Sequence, residues 1–169
     1  TALRRQRQMC IRDRNKTVLV TASAKRLGKF VAIDLIKKGW KVAVHYNKSK
    51  VLAEDTADYL FKIGGNVSIH QADLTCNSDI EKLVNEIETQ DSKWVGLINN
   101  AGYFNYDNGT SFRVEELHRH MSVNFIAPSL LTKALANYTM KIKKQKNSSQ
   151  GFVINILDAK IFGLNPDYY

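Results

Sequence analysis

Short runs of β-branched and aliphatic residues alternate along the chain with segments whose apolar positions recur every three to four residues. Residues 16–20 read as a buried strand, and residues 25–38 as a helix carrying apolar Leu27, Phe30, Val31, Ile33, Leu35 and Ile36 and ended by Gly39. The same alternation predicts further strands at 41–46, 66–71, 94–98 and 152–157. It predicts helices over 51–63, closed by Gly64-Gly65, and over 78–89, where Ile80, Leu83, Val84 and Ile87 fall at helical spacing and Asn77 or Ser78 is the cap. Residues 114 to about 144 read as helix in two pieces, with Pro128 near the start of the second, and 143–150 as a polar turn.

Strand and helix in strict alternation, joined by short connections, imply a parallel sheet covered on both faces. Right-handed crossovers then leave a doubly wound α/β sheet (a Rossmann fold), with expected strand order 3-2-1-4-5. At 169 residues, without a linker, repeat or low-complexity tract, one domain is the natural expectation.

Composition changes this picture little. The chain is 44% hydrophobic and 24% charged, ordinary for a water-soluble globular protein. No run approaches the roughly 18 to 20 apolar residues that span a bilayer. The two cysteines, Cys10 and Cys76, lie far apart and outside any metal-like spacing, which suggests a reducing compartment, by default the cytoplasm. The net charge of +9 invites a nucleic-acid reading, but residues 1–14 hold five arginines against Asp13, leaving +5 for the other 155 residues. That arginine-rich stretch has no periodicity and joins abruptly to a well-formed strand; it reads as a non-native extension, and the fold is expected in residues 15–169. No nucleic-acid, membrane or metal partner is expected.

In a doubly wound sheet, ligands bind beyond the carboxyl ends of the strands, so the informative residues follow each strand. After the first come Thr21, Ala22, Ser23, Ala24, Lys25, Arg26, Leu27 and Gly28, a turn of small residues leading into a helix whose unpaired N–H groups suit a pyrophosphate. After the second come His45, Tyr46, Asn47, Lys48 and Ser49. This stretch lacks the carboxylate that would accept from a ribose 2′-hydroxyl, and its donors, with Arg26 from the first turn, suit a 2′-phosphate instead. NADP(H) is therefore the expected cofactor. Asp73-Leu74 follows the third strand, where an aspartate can accept from the adenine amino group or simply close a turn. Asn99-Asn100-Ala101-Gly102 follows the fourth: small residues leave room for a nicotinamide, and an asparagine amide can bridge strand backbones.

These motifs, in this order and spacing, resemble the short-chain dehydrogenase/reductase family over residues 15–169. That family usually carries Thr-Gly-x-x-x-Gly-x-Gly in the first turn; here Ala22 replaces the first glycine and Arg26 the middle one. An alanine at a position needing positive φ is strained. Arginine in a Lys-Arg-Leu-Gly context, followed by His-Tyr-x-Lys-Ser, is similar to the pteridine reductase branch, in which the arginine and the second turn hold the NADP phosphates. By the same resemblance Phe104 stacks on a pterin ring, and Asp158, in Asn155-x-x-Asp158-Ala159, works with a neighbouring tyrosine in proton delivery. Asn124 matches the helix asparagine of the family's catalytic tetrad.

The resemblance implies an NADPH-dependent oxidoreductase that reduces a pterin or dihydropterin and assembles as a homotetramer. Another carbonyl or 3-oxoacyl reductase, or a non-catalytic NADP-binding protein, is the alternative. The family's proton-donating tyrosine, in Tyr-x-x-x-Lys, is expected near position 171; Tyr168 and Tyr169 come too early and lack a following lysine. The 169 residues alone are expected to bind cofactor weakly, without turnover.

Overall fold

β1 (Thr17–Val20) occupies the centre of a five-stranded parallel sheet. β2 (Lys41–Tyr46) and then β3 (Val67–Gln71) lie on one side of it, β4 (Trp94–Asn99) and then β5 (Phe152–Asn155) on the other, in the order 3-2-1-4-5 expected from the alternation. This is a computed structural model, and it describes residues 16–90, 93–105, 110–146 and 150–158. Residues 1–14, read as an extension, and Tyr168 and Tyr169 lie outside the described residues.

The central strand is apolar on both faces because both are covered. Val18 and Val20 pack with Val42, Val44 and Ile98 against Ala32 and Ile36 of α1 (Arg26–Lys37) and Leu60 of α2 (Lys50–Lys62). Leu19 points the other way, with Ala43 and Leu97, into a cluster with Leu83 and Ile87 of α3 (Asn77–Gln90) and Leu131 and Leu135 of α5 (Ala127–Lys146). Each fully buried aliphatic side chain of this kind contributes about 1.5–3 kcal/mol of transfer free energy. Among the described residues, no helix is long and apolar enough to cross a membrane.

Most boundaries fall within a residue of the sequence expectation, but α5 runs to Lys146, three residues or more into the expected polar turn, and two other differences are instructive. β5 stops at Asn155, two residues short, because its ladder partner β4 ends at Asn99 and the last bond runs from the Ile156 N–H to the Asn99 carbonyl at 2.9 Å. The long helix does come in pieces, but they join: α4 (Val114–Met121) widens into a π-helical turn at Ser122–Ile126 and continues as α5, with Pro128 its second residue. Proline lacks the N–H that the carbonyl four residues earlier would take, so a wider turn is tolerated there. One residue on, the Ser129 hydroxyl donates to the Phe125 carbonyl at 2.7 Å.

Candidate functional site

The turn after β1 is held from inside the protein. The Thr21 N–H donates to the Ile98 carbonyl, the Ala22 N–H to His45 Nδ1 and the Ser23 N–H to the His45 carbonyl, each at 3.0 Å. Both hydroxyls also face inward. Ser23 Oγ donates to the Val20 carbonyl at 2.8 Å, and Thr21 Oγ1 accepts from the N–H groups of Asn100 and Ala101 at 2.9 and 2.8 Å. Thr21 and Ser23 thus build the turn, and what it offers a ligand is backbone N–H at the open end of α1, beside exposed Lys25, Arg26 and Leu27.

Ala22 and Arg26 both have φ of 52°, at the first two of the three positions where the family pattern has glycine. The left-handed turn is therefore kept without glycine, at a cost of roughly 1–2 kcal/mol per residue. Gly28 is indispensable in a different way. A Cβ there would sit 2.6 Å from both the Ala22 carbonyl oxygen and Asn100 Nδ2, so the helix packs against the turn only because that atom is missing.

The other strand ends converge on this turn. Asn100 donates from Nδ2 to the carbonyls of Thr21 at 2.9 Å and Ala22 at 3.2 Å, stapling the exit of β4 to that of β1. His45 and Tyr46 are buried at the end of β2, Tyr46 within the core. Burial chiefly, against the opposing bond to the Ala72 carbonyl, pushes the His45 imidazole down to about 4. Asn47 and Lys48 are exposed, and Ser49 starts α2 by accepting the Ala53 N–H through its carbonyl at 3.0 Å. Asp73 does close a turn: its Oδ1 accepts from the N–H and hydroxyl of Thr75 at 2.9 and 2.7 Å, and the Thr75 N–H is the main reason its carboxyl lies below the usual range.

Between these ends lies a cavity of about 350 Å³. Ala22, Asn47, Lys48 and Asp73 line one part of it, with His45, Leu74 and Thr75; Ala101, Gly102 and Tyr103 line another, facing Arg119 and Val123 from the long helix. A Cβ at Gly102 would meet nothing nearer than Asn124 Oδ1 at 4.0 Å, so the small residue leaves open space. Arg26, Phe104, Asn124 and Asp158 are not among the lining residues. Phe104 is 64% exposed and meets His120 edge-on, with ring centroids 6.5 Å apart. Asn124, in the π-helical turn, binds the Tyr103 backbone, and Asp158 is exposed three residues beyond β5.

A second set of residues here carries no motif. Glu116, nearly buried on α4, accepts from the Tyr103 hydroxyl at 2.5 Å, Asn105 Nδ2 at 3.1 Å, Arg113 Nη2 at 3.2 Å and Arg119 Nη1 at 3.3 Å. The Tyr103 bond, then that of Asn105, holds its carboxyl below the usual range. Hydrogen bonding to Tyr103, then the Glu116 charge, raises Arg119, whose guanidinium lies 5.8 Å from the Tyr103 ring centroid. The spacing of Glu116, Arg119 and Val123 places them on one helical face, the sole sequence signal that joins them.

The profile of the family described as short chain dehydrogenase matches residues 16–159, and the chain belongs to that family. It is 37% identical over 87 residues, 52% of this chain and 80% of the relative, to the short-chain dehydrogenase/reductase homolog YusS of Bacillus subtilis. Among solved structures, FolM alternative dihydrofolate reductase 1 from Brucella canis, complexed with NADP, superposes with a TM-score of 0.82 at 31% identity, covering 92% of this chain and 60% of that one. The angucycline C-6 ketoreductase LanV with bound NADP gives 0.81 at 26%, covering 90% and 59%. The chain thus spans about three-fifths of the length of these solved relatives.

The residues present fit a dinucleotide. A helix N-terminus opens onto a turn that tolerates no Cβ at Gly28, Lys48 stands on the cavity wall, and Gly102 keeps the other end open.

Proposed function

We propose that this chain is the cofactor-binding portion of an NADP(H)-dependent short-chain reductase acting on a pterin or dihydropterin. The observation that carries the cofactor reading is the cavity wall after β2, where Asn47 and Lys48 stand and the turn contributes no carboxylate. A ribose 2′-phosphate is matched by such donors and would be repelled by the acid that a 2′-hydroxyl prefers. The reading assigns Arg26 to the same phosphate: it stands exposed at the start of α1, and the turn before it is tied to α2 by the Thr56 hydroxyl, which donates to the Ala24 carbonyl at 2.9 Å. FolM and LanV, both with bound NADP, share the fold.

When bound, the cofactor supplies hydride. The chain's own residues orient it and handle the proton. The first turn, with Lys25, Arg26, Lys48 and Ser49, holds phosphate; Asp73 and Leu74 border the adenine; Asn100, Ala101 and Gly102 shape the nicotinamide end. Phe104 supports a flat heteroaromatic ring, Asn124 fixes the loop that carries it, and Asp158 holds a proton for delivery to a ring nitrogen through a tyrosine expected near position 171 of the whole protein. The whole protein is a homotetramer of the cytoplasm on this reading, and the 169-residue chain binds cofactor without turnover.

LanV favours a second reading, reduction of a ketone. Asp158 argues against it, because a serine at that position suits a carbonyl substrate better. Assay of the protein with its reading frame extended past residue 169 separates the two. NADPH consumption with dihydropterin and little with acetoacetyl thioester is expected; the opposite preference overturns the pterin assignment.

A further inference from the structure

We infer that His45 is a positioning residue: its ring holds the phosphate-binding turn in its left-handed shape through the Ala22 N–H. The inference rests on the proposed cofactor site and assigns a mechanical role inside it.

The tautomer follows from the partners. Nδ1 lies 3.0 Å from the Ala22 N–H, which can only donate, and Nε2 lies 3.1 Å from the Ala72 carbonyl, which can only accept. Both bonds form only when Nδ1 is a lone pair and Nε2 carries the proton. The ring is 2% exposed, so no water replaces either partner at little cost.

Through these bonds His45 ties three strand ends together. Its ring joins the β1 turn to the segment after β3, and its carbonyl takes the Ser23 N–H, so two consecutive N–H groups of the turn depend on one residue. Ala22 has φ of 52°, a conformation that an L-residue leaves when its restraints are lost. Its carbonyl oxygen is also the surface against which Gly28, and hence the start of α1, packs. Loss of the acceptor at Nδ1 therefore frees the turn and displaces the helix end that would bind phosphate.

The charged and titratable groups around the ring are compatible with a fixed neutral imidazole. His70, its register partner on β3, is equally buried and pairs with Glu86 at 3.0 Å, Asp73 follows β3, Lys48 lines the same part of the cavity, and Arg119 lines it from the long helix. Burial keeps His45 neutral down to about pH 4, so Nδ1 stays an acceptor at physiological pH.

Asparagine and glutamine can separate the two nitrogens, since an Asn side chain reaches the position of Nδ1 and a Gln side chain that of Nε2. Titration calorimetry with 2′,5′-ADP on His45→Ala, His45→Asn and His45→Gln should show binding weakened about tenfold or more in the Ala and Gln variants and restored to within about threefold by Asn. Nitrogen-15 spectra of the wild type should show Nδ1 unprotonated and Nε2 protonated. Equal weakening in Asn and Gln variants, or a proton on Nδ1, would overturn the assignment, and the spectrum decides even where a variant does not fold. Wild-type protein that binds no 2′,5′-ADP would instead sink the cofactor reading, leaving the tautomer to be judged by the spectrum alone.

Discussion

The side-chain amide of Asn124 grips the backbone of Tyr103 at both ends, Nδ2 donating to its carbonyl and Oδ1 accepting from its N–H, each at 2.8 Å. Together with the Tyr103 hydroxyl on Glu116 of α4, this pins the loop after β4 to the long helix at three points. Replacing Asn124 with alanine removes two of them. With net values near 1 kcal/mol per hydrogen bond, urea unfolding should show a loss of about 1–2 kcal/mol. An unchanged midpoint would mean that the clamp is not formed in solution.

The first turn predicts opposite responses at two neighbouring positions. Ala22→Gly relieves the left-handed strain and should be neutral or stabilising by up to about 1 kcal/mol, the gain being reduced by the greater freedom of glycine in the unfolded chain. Gly28→Ala drives a Cβ to 2.6 Å from backbone and should cost about 1–3 kcal/mol. Thermal or denaturant unfolding of the pair checks both, and a tolerated alanine at Gly28 would show that α1 packs less closely than described.

Acid should weaken the fold through His45. Between its ordinary value of 6.5 and about 4, the unfolded chain takes up a proton at this position that the folded chain refuses. Stability therefore falls as pH drops through that window, by about 1.4 kcal/mol per pH unit from this group, and is independent of it above pH 6.5. His45→Asn removes this slope. Parallel stability–pH curves for variant and wild type between pH 6.5 and 4 would contradict the burial of a neutral ring.

Arg119 faces the cavity with its charge held by Glu116 and Tyr103. Arg119→Ala should weaken NADPH binding about three- to tenfold while changing stability by less than about 0.5 kcal/mol, because the ion pair is partly exposed and screened. Fluorescence titration measures the first and urea unfolding the second. Unaltered binding would place Arg119 outside the site.

The sheet order was legible because each strand is a short β-branched run and each crossover an amphipathic helix, so local pattern and tertiary placement agree. Loop positions at the strand ends followed from topology, and Lys48, Asp73 and Ala101, which follow three different strands, line one cavity. What side chains do there was less legible. Thr21 and Ser23 are polar residues in a ligand-facing turn, yet their hydroxyls point inward, a choice made by the Asn100 and Val20 backbone partners that sequence does not name. His45 carries a binding-motif signature but is buried by its strand register. Glu116 and Arg119 gave no motif because their partners, Tyr103 and Asn105, come from a loop whose docking on α4 is settled by packing alone.

The most direct test of the cofactor assignment is the ratio of dissociation constants for NADH and NADPH, measured by fluorescence titration on the wild type and on Lys48→Glu. The wild type should favour NADPH by at least about tenfold, and the variant should lose most of that preference. Equal affinity for the two nucleotides in the wild type, or a preference untouched by the substitution, would contradict a 2′-phosphate at the β2 turn.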